Sequence, residues 1–219
     1  MDKIILFDAY GTLFKVDTEN EQLDSLLGDD KARFLDLWRR KLLEYCWLTS
    51  LMEDFEGFNS IIDKALSYSC DVFKIKFKAI QPILLNIYTN PTLFDDAKKI
   101  IPNLNAICCI ISNGEPDTLR KAVISNNLEK HINRIFSASQ VQKFKVSPLV
   151  YRMATAHYNI GPSKMYFVSS NSWDISGANH FGYQTVWVNR TGQVFDKLVE
   201  GPDFEIQSLM ELPQILTLE

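Results

Sequence analysis

From Ala106 to Val188, short apolar runs alternate with segments of helical period, and this alternation constrains the fold more than any other feature of the chain. Ala106–Ile111 reads as a buried strand, Pro116–Ser125 as a helix, Arg134–Phe136 as a short strand and Pro148–Tyr158 as a helix. Met165–Val168 (strand), Ile175–Phe181 (helix) and Gln184–Val188 (strand) continue the series. Proline is tolerated where two of these helices begin, because the N–H it lacks would have no helical partner there. Strands joined through helices in this way form a mostly parallel sheet with helices on both faces. The predicted class is α/β.

One earlier strand, Lys3–Phe7, opens the chain, and a long helical stretch follows it. Over Lys31–Met52, Phe34, Trp38, Leu42, Tyr45 and Met52 recur at helical steps, with Leu48 between. A second helix is predicted near Phe58–Phe73 and a third near Ala79–Tyr88, after which Asn90-Pro91 breaks the pattern. The simplest assembly is a core of residues 1–14 and 92–219 interrupted by a helical insert over 15–91. The segment Phe204–Leu218 is expected to add a short strand and helix.

In such sheets, ligands bind beyond the carboxyl ends of the strands. Asp8-Ala9-Tyr10-Gly11-Thr12-Leu13 follows the first strand, and Ser112-Asn113-Gly114 follows the second. Lys145 precedes the helix at Pro148, and Ser169-Ser170-Asn171-Ser172-Trp173-Asp174 follows the Met165 strand. Each has a plainer reading alone: a turn aspartate, a common Ser-Asn-Gly turn, a solvated lysine, a helix N-cap at Asp174. Together on one edge they supply a carboxylate, a hydroxyl, an ammonium and a second carboxylate, a workable nucleophilic site without a cofactor.

These residues resemble, in order and spacing, the four motifs of the haloacid dehalogenase superfamily. The match is closer to the L-2-haloacid dehalogenase branch, through Tyr10 two residues after Asp8, the Leu37-Trp38-Arg39 to Met52 stretch, Phe167-Val168-Ser169-Ser170-Asn171, and Asn189-Arg190-Thr191-Gly192. The resemblance covers nearly the whole chain. It implies a Rossmann-like α/β core with an inserted helical cap. Superfamily phosphatases carry an Asp where Tyr10 stands and a metal-binding acid where Ser170 stands, so the expected cofactor is none.

By the same resemblance, Asp8 attacks the halogen-bearing carbon of a short 2-haloacid with inversion, and water hydrolyses the resulting ester at its carbonyl. Lys145 would keep Asp8 ionised, and Thr12, Ser169 and Asn171 would position the carboxylate or the water. Asp174 would pair with Lys145 and help activate water, with Tyr151 matching a family tyrosine near the lysine. Ser112 and backbone N–H groups at Ala9 and Tyr10 would hold the substrate carboxylate. Arg39 and Asn113 would receive the halide, with Trp173, Leu43, Phe58 and Tyr10 lining the pocket. Arg39 also reads as a solvated helix residue, and Tyr151, Tyr10, Leu43 and Phe58 as core. Arg40 and Val146 depart from the family's Gln and Pro. Rival readings are a magnesium-dependent phosphatase of the same fold and a non-catalytic relative that binds a small acid or a protein.

Composition bounds the partners. With 23 Lys and Arg against 27 Asp and Glu, the net charge is -4, and nothing favours nucleic acid. No run approaches the ~20 apolar residues that span a bilayer, and Ile4–Phe7 is too short for a signal segment. The four cysteines (Cys46, Cys70, Cys108 and Cys109) lack metal spacing and read as reduced, buried thiols of a cytoplasmic protein. Cys108 and Cys109, adjacent in a strand, should face opposite ways. A homodimer is expected by analogy with the related enzymes.

Overall fold

The computed structural model describes residues 3–217, so Leu218, the end of the predicted last segment, lies outside the described residues. Six strands form one parallel sheet: β1 (Ile4–Phe7), β2 (Ile107–Ser112), β3 (Ile132–Ser137), β4 (Met165–Ser169), β5 (Gln184–Val188) and β6 (Phe204–Ile206). Their order is β3-β2-β1-β4-β5-β6. The chain adds β2 and β3 on one side of β1 and then crosses from β3 to β4 on the other, which opens a crevice at the carboxyl ends of β1 and β4. Phe7 pairs with Ile110 and Val168. Asp8 therefore emerges level with Ser169 and one residue short of Ser112.

All four residues of β1 are buried, and side chains alternate between two cores. Ile5 and Phe7 pack on the side of α5 (Asp95–Ile100), α6 (Pro116–Ser125) and α9 (Leu212–Leu216). Ile4 and Leu6 pack on the side of α7 (Pro148–Tyr158) and α8 (Ser172–Phe181). Cys108 falls in the first of these cores and Cys109 in the second, as strand alternation requires. All four thiols are free and buried. Each large apolar side chain withdrawn from water contributes ~1.5–3 kcal/mol.

Between β1 and β2 the chain forms α1 (Glu21–Leu27), α2 (Lys31–Leu51), α3 (Phe58–Phe73) and α4 (Phe77–Thr89). Their apolar stripes, including Trp38, Leu42, Ile61, Leu66 and Leu84, join the core on the α7–α8 side. The chain leaves and re-enters through two paired linkers. Lys15 N donates to Thr92 O at 2.8 Å, Phe94 N to Leu13 O at 2.9 Å, and Phe14 bridges Leu93. Among the described residues no helix is long and apolar enough to cross a membrane.

Three local differences from the sequence expectation have physical causes. The short helix α1 was not expected, although Asn20 caps it by accepting from Gln22 N and Leu23 N. The short α5 was also not expected. Its acids Asp95 and Asp96 come first and Lys98 and Lys99 last, which suits the helix dipole. Helix α8 begins at Ser172 rather than Ile175, with Asn171 at the cap position. Asp174 therefore lies inside the first turn and is not the N-cap.

Candidate active site

The turn after β1 is built on one carbonyl. Ala9 O accepts from Thr12 N (3.3 Å), Leu13 N (2.9 Å) and Phe14 N (2.9 Å), and Asp8 N donates to Val168 O. Gly11 makes this possible at φ +85°, a conformation L side chains rarely adopt. The tight turn aims the Asp8 carboxylate across the crevice.

Both Asp8 oxygens are occupied by donors. Lys145 Nζ donates to Oδ1 at 2.9 Å. Thr12 Oγ1 and Asn171 Nδ2 donate to Oδ2 at 3.1 and 2.9 Å. Lys145 also donates to Asp174 Oδ2 at 2.7 Å, so one ammonium bridges two carboxylates, and it is 1% exposed. Tyr151 Oη donates to Asp174 Oδ1 at 2.7 Å. Full burial pushes the Asp174 carboxyl up to about 6, with Lys145 pulling it down and Asp8 adding to the rise. Burial opposes the Lys145 charge, but Asp174 and Asp8 outweigh it and hold the ammonium above lysine's ordinary value. Burial and the adjacent Asp174 push the Tyr151 phenol up, so it remains a donor.

Asn171 sits at the N-cap of α8 yet makes no side-chain cap bond. Its amide works elsewhere: Nδ2 on Asp8 and Oδ1 accepting from Arg39 Nη2 at 2.7 Å. Arg39 thus points inward from α2. Its neighbour Arg40 faces water, paired with Asp36 at 3.0 Å. Ser169 Oγ accepts from Asn171 N at 3.0 Å, so its hydroxyl acts on the backbone of Asn171.

Asp8, Tyr10, Arg39, Leu43, Phe58, Ser112, Asn113, Lys145, Asn171 and Trp173 enclose a cavity of about 50 Å³ between the sheet edge and α2–α4. Leu42 and Tyr88 line it as well and were not anticipated. Tyr88 lies in the last turn of α4, and only the packing of α4 against Tyr10 brings it in: Tyr10 Oη donates to Tyr88 O at 2.9 Å. Asn113 Oδ1 accepts from Lys145 N at 2.9 Å, and Ser112 Oγ from Gly114 N at 3.1 Å. Among the described residues Trp173 Nε1 is buried without a hydrogen-bond partner, an unmatched donor on a residue that lines the cavity. Five expected residues stand back from this space: Ala9, Thr12, Tyr151, Ser169 and Asp174. The Ala9 side chain is packed in the α5–α6 core, leaving only its backbone for a ligand. Asp174 is separated from the cavity by Lys145, so any work it does on a ligand passes through that ammonium.

The donor set does not suit magnesium. That ion takes hard oxygens with carboxylate charge, yet Asp8 and Asp174 already share the Lys145 cation. Ser170, at the position of the second acid, donates through Oγ to Gly11 O at 2.6 Å. Tyr10 cannot protonate a leaving group while its hydroxyl is committed to Tyr88 O, and burial and its neighbours Tyr88 and Asp8 raise its pKa. Val146 follows Lys145 through a cis peptide bond.

Residues 3–182 match the family of haloacid dehalogenase-like hydrolases. The chain is 34% identical over 216 residues to (S)-2-haloacid dehalogenase 2 of Pseudomonas sp. (strain CBS-3), covering 97% of this chain and 94% of that one. It is 33% identical over 217 residues to the (S)-2-haloacid dehalogenase of Pseudomonas sp. (strain YL), with coverage of 97% and 94%. Its structure resembles that of the L-2-haloacid dehalogenase from Xanthobacter autotrophicus with chloropropionic acid covalently bound. The TM-score is 0.91, with 26% identity and 100% coverage of both chains.

Proposed function

The chain belongs to the haloacid dehalogenase-like hydrolases, and from that membership we propose that it hydrolyses short 2-haloalkanoic acids to 2-hydroxy acids. The observation that carries this reading is the Asp8 carboxylate, held by Lys145, Thr12 and Asn171 at the wall of a small, largely apolar cavity. An aspartate so fixed is a preorganised nucleophile, and an alkyl halide needs no proton for its leaving group.

A carboxylate oxygen of Asp8 attacks C2 as the carbon–halogen bond breaks, and the bonding pair leaves with the halide. Arg39, Asn113 and the unmatched Trp173 N–H give the departing anion its donors. One well-placed donor to developing charge is worth ~3–4 kcal/mol. Ser112 and the backbone N–H groups of the Ala9–Tyr10 turn orient the substrate carboxylate, while Leu43, Phe58 and Tyr10 surround its short chain. Water then adds to the carbonyl of the Asp8 ester, freeing the 2-hydroxy acid and restoring the carboxylate. The proton lost by water passes to Asp174 through Lys145, with Tyr151 and Ser169 holding that pair and Asn171 in place. The residues of 15–91 act as a cap that carries Arg39, Leu43 and Phe58 to the core.

The test is halide release across short (S)- and (R)-2-haloacids, with and without chelator, beside a panel of phosphate esters. Release from the (S) acids that survives chelator is the expected result. Phosphate-ester turnover that requires Mg²⁺, with no halide release, would replace this reading with the phosphatase one. We also propose a homodimer. Leu48 and Leu51 of α2, Met52 just after it, and Tyr68 and Val72 of α3 are exposed apolar side chains that a second copy would cover. A monomer by sedimentation at micromolar concentration would refute it. The four unpaired thiols suit a reducing, cytoplasmic compartment.

A further inference from the structure

Arg190 follows β5 and lies outside the cavity that holds Asp8, yet its guanidinium is bound to the turn that carries Asp8. Nη1 donates to Gly11 O at 3.2 Å and Nη2 to Thr12 O at 2.9 Å. The same group is gripped from behind: Nε donates to Asp96 Oδ2 and Nη2 to Asp96 Oδ1, both at 3.0 Å. It also lies over the Phe94 ring, 4.0 Å from its centroid. These bonds use four of the five N–H donors of an arginine, so the guanidinium is held chiefly by protein. Asp96 is fixed in turn, accepting from Ala97 N at 2.8 Å and Leu209 N at 3.0 Å. The nucleophile turn, the first turn of α5 and the carboxyl-terminal segment therefore meet at one ion pair.

The two carbonyls flank Thr12, and Thr12 is the residue whose hydroxyl donates to Asp8 Oδ2. Ser170 approaches the same residue from the other side, donating through N to Thr12 Oγ1 and through Oγ to Gly11 O. Peptides pinned on both sides leave the Thr12 Cα–Cβ bond one direction, toward Asp8. We infer that Arg190 is a positioning residue for the nucleophile, acting through the Gly11 and Thr12 peptides to hold Thr12 Oγ1 on Asp8; this rests on the reading of Asp8 as the nucleophile.

The test is a double-mutant cycle on halide release, using variants whose folding is checked by thermal melting. Arg190→Ala should lower kcat about tenfold or more while KM for the haloacid stays within about twofold, because substrate contacts are untouched. Arg190→Lys, which keeps a charge for Asp96 and one donor for the turn, should recover part of that loss. In a Thr12→Val background, Arg190→Ala should change kcat by less than about twofold, since the group it positions is gone. Equal losses in both backgrounds, or an unchanged kcat per folded molecule, would overturn the inference. If Arg190→Ala does not fold, Arg190→Lys and Asp96→Asn carry the same cycle with the same criteria. Hydrogen exchange of the amides of Thr12, Leu13 and Phe14, read without substrate, separates this from the reaction itself. Faster exchange in Arg190→Lys supports the clamp even if no haloacid is turned over, and unchanged exchange removes it even in an active dehalogenase.

Discussion

Arg39 and Asp8 are joined through a single amide: Arg39 Nη2 lies 2.7 Å from Asn171 Oδ1, and Asn171 Nδ2 lies 2.9 Å from Asp8 Oδ2. An arginine of α2 thereby helps to set the orientation of a carboxylate at the end of β1. Arg39→Ala should cut turnover by about a hundredfold or more, the combined cost of a lost anion donor and a released Asn171. Arg40→Ala should stay within about twofold, because exposed ion pairs such as Arg40–Asp36 contribute little. Steady-state halide release, with circular dichroism to check the fold, tests both. Small and equal effects would make Arg39 a surface residue.

The source of the product oxygen tests Asp8 itself. A single turnover with excess enzyme in heavy-oxygen water should give unlabelled product, since its oxygen comes from the carboxylate. Repeated turnover should load the label into the peptide that carries Asp8, read by mass spectrometry. Asp8→Asn should abolish steady-state activity. Label in the first product and none in that peptide would leave Asp8 as a general base.

The pH profile should report the buried cluster. As pH falls through about 6, Asp174 takes a proton and Lys145 loses one of its two carboxylate partners. Activity should fall on that acid side, because the proton acceptor behind Lys145 is then filled. No fall is expected on the alkaline side below lysine's ordinary range, since the Lys145 pKa is raised. Asp174→Asn should remove the acid limb together with most of the rate. An acid limb that persists in that variant would belong to another group.

Gly177 of α8 packs tightly against Tyr151 and the loop that carries Lys145. A Cβ there would stand 2.6 Å from Tyr151 Oη and 2.8 Å from Val146 Cβ. Gly177→Ala should destabilise the protein by ~1–3 kcal/mol, as overpacking does, and should also lower turnover about tenfold by moving Tyr151 off Asp174 or shifting Lys145. In Tyr151→Phe, which lacks the crowded hydroxyl, the added methyl should cost less. Equal costs in the two backgrounds would mean that the crowding never reaches the Asp174 pair.

Much of this architecture was legible because local signals agreed with tertiary ones. The bounds of Phe58–Phe73, Pro116–Ser125, Pro148–Tyr158 and Gln184–Val188 coincide with the predicted ones, two of them opened by a proline at its preferred place. The strand-end clusters of Asp8, Ser112, Lys145 and Asn171 meet at one edge because parallel strands share a carboxyl end. The start of α8 was hidden because Asn171 caps with its backbone position while its side chain serves Asp8 and Arg39. Tyr88 and Arg190 were missed as contributors for another reason. Tyr88 depends on how α4 docks, and Arg190 on a partner 94 residues away in the chain. Neither separation leaves a periodic trace.

The placement of the cysteines has a chemical consequence. Haloacids alkylate thiolates in solution, and the thiolate is the reactive form. Here every thiol is inside the fold, and burial raises Cys70 to about 11 and Cys108 to about 12. A protein that concentrates an alkylating agent in its own cavity thus keeps its sulfur nucleophiles out of the reagent's reach. It exposes instead a carboxylate whose ester is built to be undone. Native protein held in excess iodoacetate should gain no mass on cysteine, whereas the unfolded chain should take up four carboxymethyl groups.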